Sequence, residues 1–309
     1  MNSLTERKIV VITRQTRADE LIKKFNNLTQ AAFYLQKRGG DISDYVEESR
    51  IYNQTVSSSI DRLQEFARVQ QVDRTYVPNF MFGADDIVVV IGQDGLVANT
   101  MKYLNGQPLI AINPDPTRYD GVLLPFVDRD LVGIVRDVLA NRRAKREITM
   151  ALATLNDGQS LLAVNDFFVG RQTHVSARYS IAIQGQQENQ SSSGIIVSTG
   201  LGSTGWLKSV LVGARGIVGY QQGYGMPANP DSFQWNSNFL VYSVREPFPS
   251  RTTGTNLVYG KITDSLLITS QMPENGVIFS DGIEQDFLQF NSGSVVTICV
   301  AAKRGYLVV

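Results

Sequence analysis

The sequence predicts an N-terminal doubly wound α/β domain with a Rossmann-like parallel sheet, followed by an antiparallel β-rich domain that resembles a β-sandwich. Over residues 1–147, β-branched runs alternate with segments whose apolar residues recur at helical spacing, as in parallel sheets with crossover helices. Over residues 148–309, short strands alternate with turns rich in Gly, Ser, Asn and Pro, which is typical of antiparallel sheets. A length of 309 residues suits two domains of about 150 residues each.

The elements of the first domain follow from hydrophobic periodicity. Uninterrupted β-branched and apolar runs, typical of buried parallel strands, predict strands at 8–12, 86–91 and 109–112. Apolar residues three and four positions apart predict helices at 18–36, 60–67, 96–104 and 131–139. Ser57–Ser59 and Asp130 are placed to cap the second and the fourth of these helices.

The short strands of the second domain are interrupted twice. One helix is predicted from about Thr204 to Gly213. A polar loop from Gly219 to Asn238, rich in Gly, Gln, Asn and Pro, follows it. Loops of this length are usually functional or mobile.

Composition excludes several classes of protein. Lys and Arg together number 29, as do Asp and Glu, and this balance argues against a nucleic-acid partner. No apolar run approaches the ~18 residues of a membrane helix, and no signal peptide is recognised, so no membrane association and a cytoplasmic location are expected. A single Cys, Cys299, and a single His, His174, exclude an internal disulfide framework and a Cys/His zinc cluster.

A glycine-rich turn, Gly92-Gln93-Asp94-Gly95, separates the predicted strand 86–91 from the following helix. Such a turn presents backbone N–H groups at a helix N-terminus, where phosphate binds. Asp94 would repel phosphate unless it takes a proton from a nucleophile or helps to hold a cation. The turn therefore favours phosphoryl transfer with Mg²⁺. An ordinary strand-to-helix turn capped by Asp94 is the alternative.

Asn165 and Asp166 stand together between two apolar runs. A carboxylate accepts hydrogen bonds from both hydroxyls of a ribose, and an amide both donates and accepts. The pair therefore suits nucleoside binding, with a turn or a β-bulge as the alternative.

A loop of glycines and hydroxyl residues runs from Val197 to Trp206. Its glycines allow a ligand to approach the backbone, its hydroxyls offer polar contacts, and the Trp206 ring offers a face for a base to stack on. A Gly/Ser loop beside a core Trp is the alternative. Further along the chain, Asp281-Gly282 is typical of a hairpin turn.

In this order, the segments resemble the NAD kinase family. The family motif Gly-Gly-Asp-Gly-Thr matches at Gly92, Asp94 and Gly95, with Gln93 and Leu96 as departures. The family's Asn-Glu pair, Thr-Gly loop and late Asp-Gly match, respectively, Asn165-Asp166, Thr199–Trp206 and Asp281-Gly282. Three more segments resemble the branch that contains the animal mitochondrial NAD kinase: Ile112–Gly121, Ser192–Ile195 and Ser243–Pro247.

The resemblance implies a kinase that phosphorylates the adenosine 2′-hydroxyl of NAD to give NADP, with ATP as donor and Mg²⁺ as cofactor. It implies that Asp94 is the catalytic base and that the turn residues Gly92, Gln93 and Gly95 bind phosphate. The implied substrate-binding residues are Asn165, Asp166, Thr199, Gly202, Ser203, Thr204 and Trp206. A homodimer, a substrate held between the two domains, and a C-terminal tail from Cys299 that returns to the first domain are also implied.

The two departures leave alternatives open. Gln93 either crowds the phosphates or supplies them with a new hydrogen-bond donor, and Leu96 removes a hydroxyl beside the catalytic carboxylate. A catalytically silent nucleotide-binding protein with the NAD kinase fold is one alternative function. A kinase that acts on another hydroxyl, of a nucleoside, a sugar or a lipid, is the other.

Overall fold

The computed structural model describes residues 6–65, 67–222 and 232–309. The chain forms two compact units, which are treated separately below. The first unit is Met1–Arg146 with Tyr306–Val309, and the second is Glu147–Gly305. None of the helices in the described ranges has the length and apolar content needed to cross a bilayer.

The first unit is built on a parallel sheet. Its strands are β1 (Lys8–Thr13), β2 (Arg68–Asp73), β3 (Ile87–Ile91) and β4 (Leu109–Ile112), in the order β2-β1-β3-β4. Leu307, near the end of the last strand of the chain, pairs in parallel with Leu109 of β4. Every residue of β3 and β4 is buried, which explains why both strands read as continuous apolar runs in the sequence.

The described residues of this unit form five α-helices: α1 (Arg17–Phe25), α2 (Leu28–Gln36), α3 (Ser43–Gln64), α4 (Asp94–Met101) and α5 (Leu131–Leu139). The prediction of a single helix over 18–36 was wrong. Asn26, with φ of 67°, ends α1 in a left-handed conformation, and the side chain of Asn27 caps α2. The serine cap at Ser57–Ser59 was also wrong, because these residues lie inside α3. Asp130 precedes α5 but makes no side-chain cap.

Most of the regular secondary structure in the described part of the second unit is β-strand. Its strands are β5 (Lys145–Leu155), β6 (Ser160–Ala163), β7 (Asp166–Arg171), β8 (Ala177–Ile183), β9 (Gln186–Ser192), β10 (Ile195–Ser198), β11 (Leu240–Val244), β12 (Tyr259–Ile262), β13 (Ser265–Ser270), β14 (Gly276–Ser280), β15 (Phe287–Gln289) and β16 (Val295–Val308). One antiparallel sheet has the order β12-β11-β10-β7-β14-β15. Strands β16, β13, β8 and β9 pair antiparallel in a second sheet.

Side chains from both sheets pack into one core. Phe167 of β7 and Val197 of β10 come from the first sheet, and Tyr179 of β8 and Ile268 of β13 from the second. Two apolar sheet faces that share a core are typical of a β-sandwich. The predicted fold class, a parallel α/β sheet followed by an antiparallel β-rich part, is therefore confirmed.

The predicted helix at 204–213 is longer in the structure. A short 3₁₀ turn, Gly202–Thr204, leads into α6 (Trp206–Gln222). The last turn of α6 therefore lies in the segment predicted as a polar loop. Residues 223–231 of that loop lie outside the described residues.

Candidate active site

The glycine-rich turn of the first unit joins the end of β3 to the start of α4. Gln93 precedes the helix in an extended conformation, and its carbonyl accepts the N–H groups of Leu96 (2.9 Å) and Val97 (3.2 Å). The N–H groups of Asp94 and Gly95 precede these first bonds and have no acceptor within the helix. They are placed as an anion-binding turn requires.

Asp94 is oriented through one carboxylate oxygen. Its Oδ1 accepts a 2.7 Å hydrogen bond from the backbone N–H of Leu123, in the loop that follows β4. Within the described part of the chain, no other hydrogen bond reaches this half-buried carboxylate. One oxygen is thus fixed by the protein, and the other is left for a proton or a cation.

Gly92 and Gly95 have different surroundings. A Cβ added to Gly92 would lie 2.8 Å from the Cδ2 of Leu96, a buried side chain that packs on the turn. A Cβ added to Gly95 would meet no atom within 4 Å. The packing of the folded protein therefore does not require glycine at position 95, whereas a phosphate that approaches the backbone would require it.

A buried carboxylate lies in the same unit, on α3. Glu48 is only 3% exposed, and its carboxylate accepts hydrogen bonds from Arg14 (2.8 Å) and Tyr119 (3.0 Å). Arg17 also pairs with it. Burial opposes ionisation, yet these hydrogen bonds hold the pKa of Glu48 below its ordinary value. The sequence analysis missed this cluster, because its members come from three separate segments.

In the second unit, the carboxylate of Asp281 ties two turns together. It accepts hydrogen bonds from the backbone N–H groups of Asn165 (2.6 Å), Val164 (3.1 Å) and Asp166 (3.4 Å). In return, the N–H of Asp281 donates to the carbonyl oxygen of Asp166 (3.0 Å). The Asp281-Gly282 turn therefore fixes the backbone of the predicted substrate-binding pair.

Asp166 opens β7 with a side chain that is 7% exposed. Burial, with the neighbouring charge of Asp281 as a second cause, raises the pKa of Asp166 to about 7. Buried carboxyls that titrate near neutrality concentrate at functional sites. In its ionised form this carboxylate accepts two hydroxyl donors.

Three residues of the predicted Thr-Gly loop make hydrogen bonds or close contacts within the protein itself. The hydroxyl of Thr199 donates to the carbonyl oxygen of the residue before Asn165 (2.6 Å) and accepts the N–H of Gly202 (3.2 Å). Ser203 donates to a carbonyl oxygen earlier in the same loop (2.7 Å). A Cβ on Gly202 would overlap the carbonyl oxygen of Asn165. Thr199, Gly202 and Ser203 thus hold the loop against the Asn165 turn.

An open pocket of about 290 Å³ is lined by residues of these three turns of the second unit. The predicted site residues that line it are Asn165, Asp166, Gly202, Thr204 and Trp206. Thr199 and Ser203 are buried in the wall of the same loop. Leu201, Gly205, Asp281 and Gly282 also line the pocket and were not selected as site residues from the sequence.

The Trp206 ring belongs to a group of stacked aromatic rings. It lies 5.8 Å from the ring of Phe168 at an angle of 10°, and 6.5 Å from the ring of Phe279. The guanidinium of Arg245 lies 5.4 Å from its centre. Trp206 also lines a second pocket of about 520 Å³, together with the exposed His174.

The described residues contain no group of three or more His, Cys, Asp and Glu side chains placed to hold a metal ion. A Mg²⁺ ion that arrives with a nucleotide needs only one or two carboxylates, because waters and phosphate oxygens supply the other ligands. Asp94 provides one such carboxylate at the predicted phosphate-binding turn. This single carboxylate fits a Mg²⁺ ion that arrives with a nucleotide.

No protein-family model matches the chain. An NAD kinase of Cupriavidus pinatubonensis is 30% identical over 133 residues, which are 40% of this chain and 42% of that relative. The chain therefore matches less than half of the length of this relative. A yeast NADH kinase complexed with NADH has a TM-score of 0.59 and 16% identity, covering 99% of this chain and 84% of that one. The chain has the fold of the NAD kinases.

A second solved structure supports the same fold. An NAD kinase from Archaeoglobus fulgidus in complex with ATP has a TM-score of 0.58 and 15% identity, covering 97% of this chain and 92% of that one. The NAD kinase fold thus extends over both units.

Proposed function

We propose that this protein is an NAD kinase that transfers the γ-phosphoryl group of Mg–ATP to the adenosine 2′-hydroxyl of NAD. In this reaction the 2′-oxygen forms a bond to the γ-phosphorus while the bond from that phosphorus to the β,γ-bridging oxygen breaks. The hydroxyl proton goes to Asp94, and NADP and ADP leave.

The geometry of Asp94 carries the proposal. A general base needs an oriented carboxylate with an oxygen left for the proton. The hydrogen bond from Leu123 supplies the orientation and leaves the second oxygen unused by the described residues. The neighbouring N–H groups at the start of α4 would stabilise the charge of the transferred phosphoryl group.

Asn165 and Asp166 are proposed to hold the ribose of NAD. Both line the pocket of about 290 Å³. The ionised carboxylate of Asp166 would accept hydrogen bonds from hydroxyls, and the Asn165 amide would donate to a ring nitrogen or accept from a hydroxyl. Thr199, Gly202 and Ser203 support the proposal as packing that shapes the pocket, while Thr204 and Trp206 would contact the nucleotide.

The resemblance in sequence to the branch of the animal mitochondrial NAD kinase supports a further part of the proposal. In this part of the proposal, the chain belongs to that branch and forms a homodimer. Light scattering on the purified protein measures the dimer directly, and a monomer mass would remove this part without affecting the kinase assignment.

The deciding experiment incubates the protein with NAD, ATP and Mg²⁺ and assays NADP with a dehydrogenase that accepts only NADP. We expect NADP to appear in proportion to the protein added and to depend on both ATP and Mg²⁺. Parallel reactions with polyphosphate and with NADH identify the donor and the acceptor. NAD bound without any NADP formed would instead show a silent nucleotide-binding protein, and transfer to another hydroxyl would show a kinase of a different substrate.

A further inference from the structure

The carboxylate of Asp166 is a buried acceptor that the protein itself does not use. The residue is 7% exposed, and in the described part of the chain no group donates a hydrogen bond to its carboxylate. Buried polar groups are nearly always hydrogen-bonded, and an exception in the wall of a pocket points to a ligand that supplies the missing donors. Asp166 therefore offers acceptor oxygens to a molecule that enters the pocket of about 290 Å³.

The lining of this pocket is acidic. Asp281 contributes a second carboxylate, and none of the described residues that line the pocket is Lys, Arg or His. The residues outside the described ranges include no Lys, Arg or His either. Burial and the neighbouring charge of Asp281 raise the pKa of Asp166 to about 7, so its carboxyl is ionised at pH 8. A ligand in this pocket thus meets negative charge without a basic side chain beside it.

The backbone that carries Asp166 is held on two sides. In the sheet, Asp166 of β7 pairs with Ser198 of β10, and its carbonyl oxygen accepts the N–H of Asp281 (3.0 Å). The preceding residue, Asn165, donates its N–H to Asp281 (2.6 Å). Gly202 packs so closely that an added Cβ would overlap the carbonyl oxygen of Asn165. A ligand must therefore suit the carboxylate of Asp166 where it stands.

A ribose suits this carboxylate, and a ribose 2′-phosphate does not. The two neighbouring hydroxyls of a ribose each donate a hydrogen bond, and one carboxylate accepts both. After phosphorylation the 2′-oxygen has no hydrogen to donate, and it carries a group with a charge of about −1.5 to −2 near neutral pH. Contact between like charges is costly where no cation compensates them. Because NAD and NADP differ only in this phosphate, the pocket should distinguish them.

We propose that Asp166 selects NAD over NADP and thereby favours release of the phosphorylated product. The proposal rests on the proposed function, in which the ribose of NAD lies against Asn165 and Asp166. It assigns two effects of opposite sign to one carboxylate, which are attraction for the diol of the substrate and repulsion of the phosphate of the product.

Binding measurements at pH 8 test this selection without any turnover. Calorimetry with NAD and with NADP, in the absence of ATP, is carried out on the wild type and on Asp166→Asn. Asp264→Asn is the control, because it removes one exposed carboxylate of the same unit. The ratio of the two dissociation constants is compared, since a general loss of pocket shape would weaken both ligands together.

The wild type should bind NADP at least about 30-fold more weakly than NAD, because a hydrogen bond to a charged group is lost and a contact between like charges is gained. Asp166→Asn should weaken NAD binding about fivefold and strengthen NADP binding about fivefold, which brings the ratio close to one. Asp264→Asn should keep the ratio of the wild type.

A wild-type ratio below about tenfold would overturn the proposal, and so would an Asp166→Asn variant in which both affinities change in the same direction. If Asp166→Asn does not fold, the wild-type ratio decides alone. A wild type that binds neither dinucleotide refutes the proposed function and the selection with it. NAD binding without formation of NADP removes only the kinase assignment, and the ratio still decides whether Asp166 selects the unphosphorylated ribose.

Discussion

The carboxylate of Asp281 accepts a 2.6 Å hydrogen bond from the backbone N–H of Asn165, a residue 116 positions earlier in the chain. It also accepts the N–H groups of Val164 and Asp166, and its own N–H returns a bond to Asp166. A carboxylate that accepts hydrogen bonds from several backbone N–H groups is strongly bound to them. The Asp-Gly turn therefore determines where the Asn165–Asp166 pair stands.

We expect Asp281→Ala to weaken both folding and NAD binding. The change leaves partly buried N–H groups without an acceptor, which costs about 1–3 kcal/mol of the free energy of unfolding. NAD affinity should fall about tenfold or more, because the pair proposed to bind the ribose loses its support. Urea denaturation and calorimetry with NAD measure the two effects.

Asp264→Ala is the matched control, because Asp264 is an exposed aspartate in a turn of the same unit. It should leave both quantities nearly unchanged. If Asp281→Ala were to bind NAD as tightly as the wild type does, Asp281 would not support the substrate pocket.

The buried carboxyl of Asp166 should give the free energy of unfolding an unusual dependence on pH. Its pKa is about 7 in the folded protein and near 4 in an unfolded chain. Between these values the folded state binds more protons than the unfolded state, so this group lowers stability as pH rises from about 4 to 7. Asp166→Asn removes the cost of the buried charge, which is about 4 kcal/mol at most above pH 7.

The measurement is the melting temperature of the wild type and of Asp166→Asn at pH 5 and at pH 8. The variant should gain stability over the wild type at pH 8 and gain much less at pH 5. An equal difference at the two pH values would show that Asp166 does not change its ionisation in this range. The same variant should bind NAD more weakly, since an amide offers one acceptor oxygen in place of two.

Much of the fold could be predicted because its signals are local. The strands β1, β3 and β4 are buried on both faces, so each reads as an unbroken apolar run of a few residues. The start of α3 at Ser43 was missed because Ser57–Ser59 resemble a helix cap. Inside the helix, Ser59 is instead satisfied by Asp128, 69 positions away, and no local pattern reveals such a partner.

The candidate site likewise combines features that are local in the sequence with features that depend on distant contacts. Gly92, Asp94 and Gly95 are neighbours in the chain, so their spacing was visible as a motif. The support of the pocket by Asp281 depends on a contact across 116 positions, and the hydrogen bond that orients Asp94 comes from Leu123, 29 positions away. The sequence therefore indicated the chemical groups, while the residues that orient them required the structure.

We expect Gly95→Ala to separate folding from phosphate binding. The added methyl group meets no atom within 4 Å, and alanine is favoured over glycine in a helix by about 1 kcal/mol. The variant should therefore melt at the same temperature as the wild type or higher. Its affinity for Mg–ATP should fall at least severalfold, because the methyl group faces the phosphate that the turn would bind.

Gly133→Ala in α5 is the control, since a Cβ there also meets no atom within 4 Å. It should raise stability to a similar extent without changing ATP binding. Calorimetry with Mg–ATP and thermal unfolding give both quantities. Unchanged ATP affinity in Gly95→Ala would mean that the phosphates do not approach this part of the turn.

Asp94→Asn tests the general base with the least change of shape. The amide oxygen of Asn keeps the acceptor for the Leu123 N–H, so the turn and its loop should keep their geometry. The amide does not take up the 2′-hydroxyl proton, and the loss of a general base costs about 10²–10⁴ in rate. Calorimetry should show NAD affinity within about twofold of the wild type, while the NADP assay shows the loss of turnover.

Asp85→Asn is the control, because Asp85 is an exposed aspartate of the same unit and should retain full activity. Wild-type turnover in Asp94→Asn would assign the proton to another group.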